Sequence, residues 1–335
     1  MKKCIILFIV LLVNLTLISG CGQSKVENKT TINKKIKNNE EMTIKISGPK
    51  SPAIIPLLRI IETNALGENI KIDLKQYHSM EEMVALATDK ENAFMALPAH
   101  TASVLYNKDV DVKLLNMGIW GCMYLTSIDD EFKDWKDLKG KKLYVPGKNS
   151  PPDMITQYFL KKNELEPGKD LEIVYSNHME IAQLLELGKI KYAVDVEPFT
   201  TLHKETIKGF KVICDYSEKW KETEGDEFRL PAFGVVVNSE FASSNAEIVD
   251  TFNEEYEKAI KWATNNPEEA ELLAQKQLKT KPQLIEKAIP NMTFIYESAE
   301  SAKESLDKYY EILLSYKPES IGGKIPDETF YYKHK

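Results

Sequence analysis

The chain has almost no arginine. Of 44 lysines and arginines in 335 residues, only Arg59 and Arg229 are arginine. Arginine is the usual bidentate clamp for carboxylate, sulfonate and phosphate, so a site built from several such clamps is excluded. Positive charge is also outnumbered: the formal net charge is −7 at pH 7, which leaves no basic footprint for nucleic acid. Cysteine is scarce, with four residues at positions 4, 21, 122 and 214. None forms a Cys-x-x-Cys pair or a Cys/His cluster, so no zinc site is expected. Cys122 and Cys214 lie in different apolar stretches and are expected to be buried free thiols, although an oxidising compartment would permit one disulfide. The nucleophile elbow, the dinucleotide fingerprint, the phosphate-binding loop and the His-Glu-x-x-His zinc motif are all missing. His178-Met179-Glu180 and His203-Lys204-Glu205 do not have the spacing of a ligand pair on one helix face. No catalytic residues, no metal and no cofactor are therefore expected, and the protein is read as not an enzyme.

What is present begins at the N-terminus. Met1-Lys2-Lys3 precedes an apolar run over residues 4–18, broken by Asn14 and Thr16, and then Ser19-Gly20-Cys21. A basic start, a short apolar stretch and small residues before a cut describe an export signal. The run is too short and interrupted for a span of about 20 apolar residues. Cysteine directly after Ser-Gly resembles the bacterial lipobox. That resemblance implies a signal peptide over residues 1–20 and lipidation of Cys21, whose acyl chains would hold the protein on the outer face of the cell membrane. Residues 21–41 are rich in Lys, Asn, Glu and Thr, a solvated tether. The expected place of work is extracytoplasmic, away from ATP and reduced nicotinamide.

The remainder is globular in composition, with 43% hydrophobic and 28% charged residues, and long enough for two domains. Strand patterns are expected at 43–47, 70–77, 93–97, 112–117, 142–145, 171–175, 193–196, 210–214 and 232–237. Helical patterns fall between them: one opened by Ser51-Pro52, with Pro56 delaying or kinking it, and others near 101–106 and 181–188. Ser79-Met80-Glu81-Glu82 reads as a capping box. Long amphipathic helices are expected at 246–265, 267–278, 281–289 and 299–316, and the tail 321–335 as an aromatic loop. This alternation predicts an α/β architecture with mostly parallel sheets.

Five segments carry a family resemblance: Ala96-Leu97-Pro98-Ala99, Trp135-Lys136-Asp137-Leu138-Lys139-Gly140-Lys141-Lys142, Ala182-Gln183-Leu184-Leu185-Glu186-Leu187-Gly188-Lys189, Ala193-Val194-Asp195-Val196-Glu197-Pro198 and Asn265-Asn266-Pro267-Glu268-Glu269-Ala270. In this order the chain resembles the solute-binding lipoproteins of ABC importers, in the branch associated with nitrate, taurine, alkanesulfonates and thiamine-precursor pyrimidines. The likeness covers about residues 42–320. It implies a two-lobe, type II periplasmic-binding-protein-like fold with two crossing strands: lobe one over 42–122 and 235–335, lobe two over 123–234, with crossings near 121–124 and 231–235. It also implies a monomer that captures a small-molecule solute in the cleft and delivers it to a membrane permease with its ATPase.

In such folds ligands bind beyond the carboxyl ends of strands. That places candidates in four loops. Ser47, Gly48 and Ser51 offer hydroxyls and backbone N–H at a helix start, or plain capping. Pro98 permits close approach at a strand end, while His100 beside it reads as a surface or satisfied histidine. Asn149 and Ser150 precede a helix N-terminus, but Asp153 in its first turn would repel an anion, or cap with Ser150. Glu197 is acceptor-only when ionised and suits a donor on the ligand. Trp120 and Phe233 flank the crossings and could stack on a flat ligand. Arg229 is the best anion clamp, and Arg59 reads as solvated. Few arginines and Asp153 count against nitrate or sulfonate; Glu197, Asp195 and the aromatics favour a nitrogen-bearing flat solute such as an aminopyrimidine. The alternatives are a surface-anchored ligand sensor, adaptor or enzyme on the same fold, or an alkanesulfonate or nitrate receptor.

Overall fold

The computed structural model describes residues 41–278 and 284–333. The signal segment 1–20, Cys21, the tether to residue 40 and the start of the helix expected at 281 lie outside the described residues. In chain order, the first part holds β1 (Met42–Pro49), α1 (Ile55–Glu62), β2 (Ile70–Tyr77), α2 (Met80–Thr88), β3 (Asn92–Pro98), α3 (Ala99–Asn107) and β4 (Val112–Trp120). The middle part holds β5 (Met123–Ser127), β6 (Lys142–Pro146), α4 (Pro151–Lys162), β7 (Glu172–Ser176), α5 (His178–Glu186), β8 (Tyr192–Val196), α6 (Phe199–Thr206), β9 (Lys211–Asp215) and α7 (Tyr216–Glu224). The last part holds β10 (Pro231–Asn238), α8 (Ser239–Ser244), α9 (Ala246–Asn265), α10 (Pro267–Leu278), α11 (Leu284–Ala288), β11 (Phe294–Ser298) and α12 (Ala299–Tyr316).

These strands form two sheets, ordered β11-β4-β10-β3-β1-β2 and β7-β6-β8-β5-β9. In the first, β1 runs parallel to β2 and β3, and β10 runs antiparallel to β3 and β4. In the second, β6 is parallel to β7 and β8, and β5 is antiparallel to β8 and β9. β11 also runs antiparallel to β4, so both sheets are mixed and not mostly parallel as the alternation of elements suggested. Helices cover both faces of the first sheet. Side-chain parity shows this on β3, which is buried almost throughout. Phe94 and Ala96 enter the core formed with α1 and α9, while Met95 and Leu97 enter the core formed with α3 and α12. The Phe94 ring stacks on Phe252 at 3.9 Å. The second core continues through Trp120 and Met123 into the second sheet, where Leu143, Phe159 and Tyr216 join it.

Local chemistry sets the element ends. Ser79 accepts the Glu82 N–H at 3.2 Å, the forward half of the expected capping box, but the Glu82 carboxylate accepts the His78 N–H at 2.7 Å and not the N–H of the N-cap Ser79. A 3-10 turn over Pro52–Ile54 precedes α1, so the helix proper starts late and Pro56 falls in its first turn, where its missing N–H costs nothing.

Two connections join the sheets. The first is residues 121–122, with φ of 70° at Gly121 and 67° at Cys122. A Cβ on Gly121 would stand 1.9 Å from Ser217 Oγ. The second is residues 225–230; Gly121 N–H donates to Leu230 O at 2.7 Å, tying the two together. The return to the first sheet thus falls at Pro231, already paired with Trp120, at the start of the stretch 231–235 near which the sequence put it. Other elements were unexpected: β5, α6, α7, α8 and β11 are short, and their periodicity is weak. The tail is not simply a loop. Phe330 and Tyr331 are buried, and Tyr331 bridges Leu114. Cys122 and Cys214 are free thiols. Among the described residues no helix is long and apolar enough to cross a membrane.

Candidate ligand-binding cleft

The strand directions bring the carboxyl ends of β1, β3, β4, β6 and β8 together with the first residues of β5 and β10. There, a cavity of about 320 Å³ opens between the sheets. Its wall takes Ser51 and Pro52 from the β1–α1 turn, Pro98 and His100 from the β3–α3 turn, and Gly121 to Met123 from the first connection. It also takes Pro151 and Pro152 from α4, Val196 to Phe199 from the β8–α6 turn, Pro231 to Phe233 from β10, Met292, and Tyr309 from α12. A larger hollow of about 430 Å³ lies at the opposite strand ends, against Lys113, Ser239 and Tyr332. The smaller cavity, unlike the larger hollow, joins turns of both sheets and is the candidate site.

The wall is mostly proline, aliphatic and aromatic. Among the described residues, its titratable side chains are His100, Cys122, Glu197 and Tyr309, and no lysine or arginine lines it. Tyr309 is 2% exposed. The Cys122 thiol donates to Met292 O at 3.2 Å and Trp120 O at 3.4 Å, and burial pushes its pKa up, so it is an inert thiol. Glu197 and His100 remain. The Glu197 N–H donates to Cys122 O at 3.1 Å, and its carboxylate accepts the Thr201 N–H at 3.3 Å. Burial, assisted by the Asp195 charge, pushes the carboxyl up to about 7, against the pull of Thr201 and Lys204. Asp195 itself is 1% exposed and held 2.7 Å from His203 Nδ1. On the same turn Phe199 stacks on His178 at 4.5 Å. His100 lies in the first turn of α3, with Nε2 3.2 Å from Thr101 Oγ1. Burial brings its pKa down to about 4, so the imidazole is neutral at pH 7.

These two groups have opposite linkage signs. The folded pKa of Glu197 is raised, so its contribution is full below about pH 4.5 and is lost as pH rises through 7. The folded pKa of His100 is depressed, so its contribution is full above about pH 6.5 and is lost as pH falls through 4. Glu197→Gln is expected to stabilise the protein relative to wild type above pH 7, by up to about 3 kcal/mol. It should also flatten the stability profile between pH 4.5 and 7. Urea denaturation across pH 4–8 measures this; an unchanged profile would show that the carboxyl titrates normally.

Ser51, Pro98, Glu197 and Phe233 line the cavity; the other sequence candidates do not. Ser47 is fully buried and accepts from Asn92 Nδ2 at 2.8 Å, because β1 continues through Pro49. Gly48 is there for packing: a Cβ would stand 3.1 Å from Ile54. Trp120 is not a cleft floor. It is 2% exposed and its indole N–H donates to Ile295 O at 2.9 Å. Asn149 is exposed at φ 60°. Ser150 donates to Pro146 O and Gly147 O rather than capping with Asp153. Asp153 is buried and accepts from Asn149 N–H, Gln157 and Tyr175. Arg229 pairs with Glu297 at 2.9 Å and does not line the cavity. Arg59 is not simply solvated: it stacks over Trp262 at 4.1 Å and pairs with Glu62. Sequence reading passed over Phe199 and Met292 and discounted His100; only their places just beyond strand ends or just ahead of β11 could have flagged them.

Two α/β lobes, two connections and a cleft at the strand ends define the two-lobe fold of periplasmic binding proteins. A solved structure described as an ABC transporter from Parabacteroides distasonis is 25% identical, with a TM-score of 0.73 over 88% of this chain and 100% of that one. The periplasmic aliphatic sulphonate binding protein SsuA from Escherichia coli superposes with a TM-score of 0.66 at 12% identity, over 88% of this chain and 92% of SsuA; at that identity the likeness concerns the fold. A family model described as NMT1/THI5 like matches residues 67–270, more than half of the chain, and the chain belongs to that family. The Bacillus subtilis (strain 168) protein YtlA is 24% identical over 147 residues, 44% of this chain and 42% of YtlA, so the match spans under half of that relative.

Proposed function

We propose that this protein is the extracytoplasmic solute-binding component of an ABC import system. It is exported by residues 1–20 and anchored to the outer face of the cell membrane through lipid on Cys21. It captures a small solute between a lobe of residues 42–122 with the chain after the second connection, and a lobe of residues 123–224. Closure follows when a ligand touches both lobes and so favours the closed state by its differential affinity. The loaded protein, a monomer, then docks on a permease.

The observation that carries this reading is the cavity itself. Turns from both sheets build it, and among the described residues one carboxylate, Glu197, faces it without a lysine or arginine. That chemistry suits a flat, nitrogen-bearing solute such as an aminopyrimidine, whose donor groups meet Glu197 while its ring lies among Pro98, Phe199 and Phe233. It does not suit sulfonate or nitrate, because a buried anion needs a compensating charge or donors.

Thermal unfolding of the protein against aminopyrimidines, amidines, taurine, alkanesulfonates and nitrate tests the reading. A ligand at 100 times its Kd adds about 2.7 kcal/mol; the shift should come from the nitrogen bases. Shifts from taurine, alkanesulfonates or nitrate alone would overturn the ligand class.

A further inference from the structure

The cavity holds a second ionisable group, from the opposite lobe to Glu197. His100 belongs to the β3–α3 turn of the first sheet and Glu197 to the β8–α6 turn of the second. Among the described residues, the contact with Thr101 Oγ1 is the only hydrogen bond of the imidazole, so one ring nitrogen remains for a group in the cavity. A protonated imidazole is disfavoured there. It would be desolvated and would stand in the first turn of α3, next to the positive end of the helix dipole.

We propose that His100 is a specificity-determining residue of the cavity: a neutral imidazole that pairs with an uncharged polar group of the solute while Glu197 takes the basic nitrogen. The inference rests on the cavity being the solute site. A solute satisfying it has an apolar ring with a cationic or donor nitrogen at one end and an uncharged hydrogen-bonding group at the other. Such a molecule touches both lobes through polar contacts. A ligand lacking the second group leaves His100 desolvated and unpaired, and that penalty is the source of discrimination.

Benzamidine and 4-aminobenzamidine separate the two ends, since they differ only by one uncharged amino group. Titration calorimetry at pH 8 is expected to show 4-aminobenzamidine binding about fivefold tighter than benzamidine, the effect of one hydrogen bond. In His100→Phe that gap should close to under twofold, with benzamidine binding tighter because it no longer leaves a desolvated imidazole unpaired. His100→Gln, which keeps a donor and an acceptor, should retain part of the gap and serves as the folded comparison if the phenylalanine does not pack. A purely structural role for His100 would lower both affinities together and leave their ratio unchanged, which would overturn the inference. So would a wild-type protein that binds both probes equally. Failure of both probes to bind the wild type would overturn the nitrogen-base reading of the cavity as well, so the two failures are distinguishable.

Discussion

Glu197→Gln is expected to weaken capture of a cationic nitrogen solute at pH 8 by about 30-fold or more, the result of removing one partner of a desolvated charge pair. The carboxylate lies in a wall of prolines and apolar side chains, where the attraction is poorly screened. Burial holds the carboxyl up to about 7, so a cation entering near neutral pH displaces a proton. Wild-type affinity should therefore rise from pH 6 to pH 8 and flatten above. The groups facing Glu197 are Asp195 on β8, Lys204 and Thr201 on α6, Cys122 on the first connection and Tyr124 on β5. None of them is removed by the substitution. The Gln variant should bind weakly at every pH and show no proton release in calorimetry run in buffers of different ionisation enthalpy. Equal affinity in both proteins at pH 8 would place the ligand elsewhere. The variant is expected to remain folded, since it removes a carboxyl whose charged form the cleft disfavours.

Trp120→Ala is expected to act on the fold. The side chain is buried where the core of the first sheet continues into the second, and its indole N–H satisfies the Ile295 carbonyl on β11. Truncating a buried tryptophan costs about 3–5 kcal/mol, and an orphaned carbonyl adds to it. In a chain of this length that lowers Tm by roughly 10 °C. Thermal unfolding of the empty protein measures it directly. A variant with wild-type stability and lost binding would restore the stacking role that the sequence suggested.

The error at Trp120 shows where sequence reading fails. The pattern gave a strand ending near Met117, which left Gly118 to Gly121 as a loop whose aromatic could face a ligand. The strand instead runs to Trp120 through an irregularity in its pairing with β10: Trp120 joins Met117 in one core, while Ile119 is buried in the other at the edge of the cavity. One residue of register sends a side chain to the opposite face. Ser47 and Gly48 fail for the same reason, being inside β1, while Ser51 beyond it reaches the cavity. Glu197 was legible because β8 is a short apolar strand closed by proline, and the fold rule then places the next side chain at the cleft. The pairing of Arg229 with Glu297 was not legible, since the two residues are 68 positions apart and nothing local announces the contact. Asp153 was read as a repelling charge or half of a cap. It is a buried acceptor whose three donors come from α4, the turn ahead of it and β7.

The most direct test of the account is a crystal structure of the protein grown with the nitrogen base that raises its Tm most. The account predicts ligand density in the cavity between the β3–α3 and β8–α6 turns, with a donor nitrogen within hydrogen-bond distance of Glu197. Density in the hollow beside Lys113 and Tyr332, or a ligand in the cleft that leaves Glu197 without a contact, would contradict it.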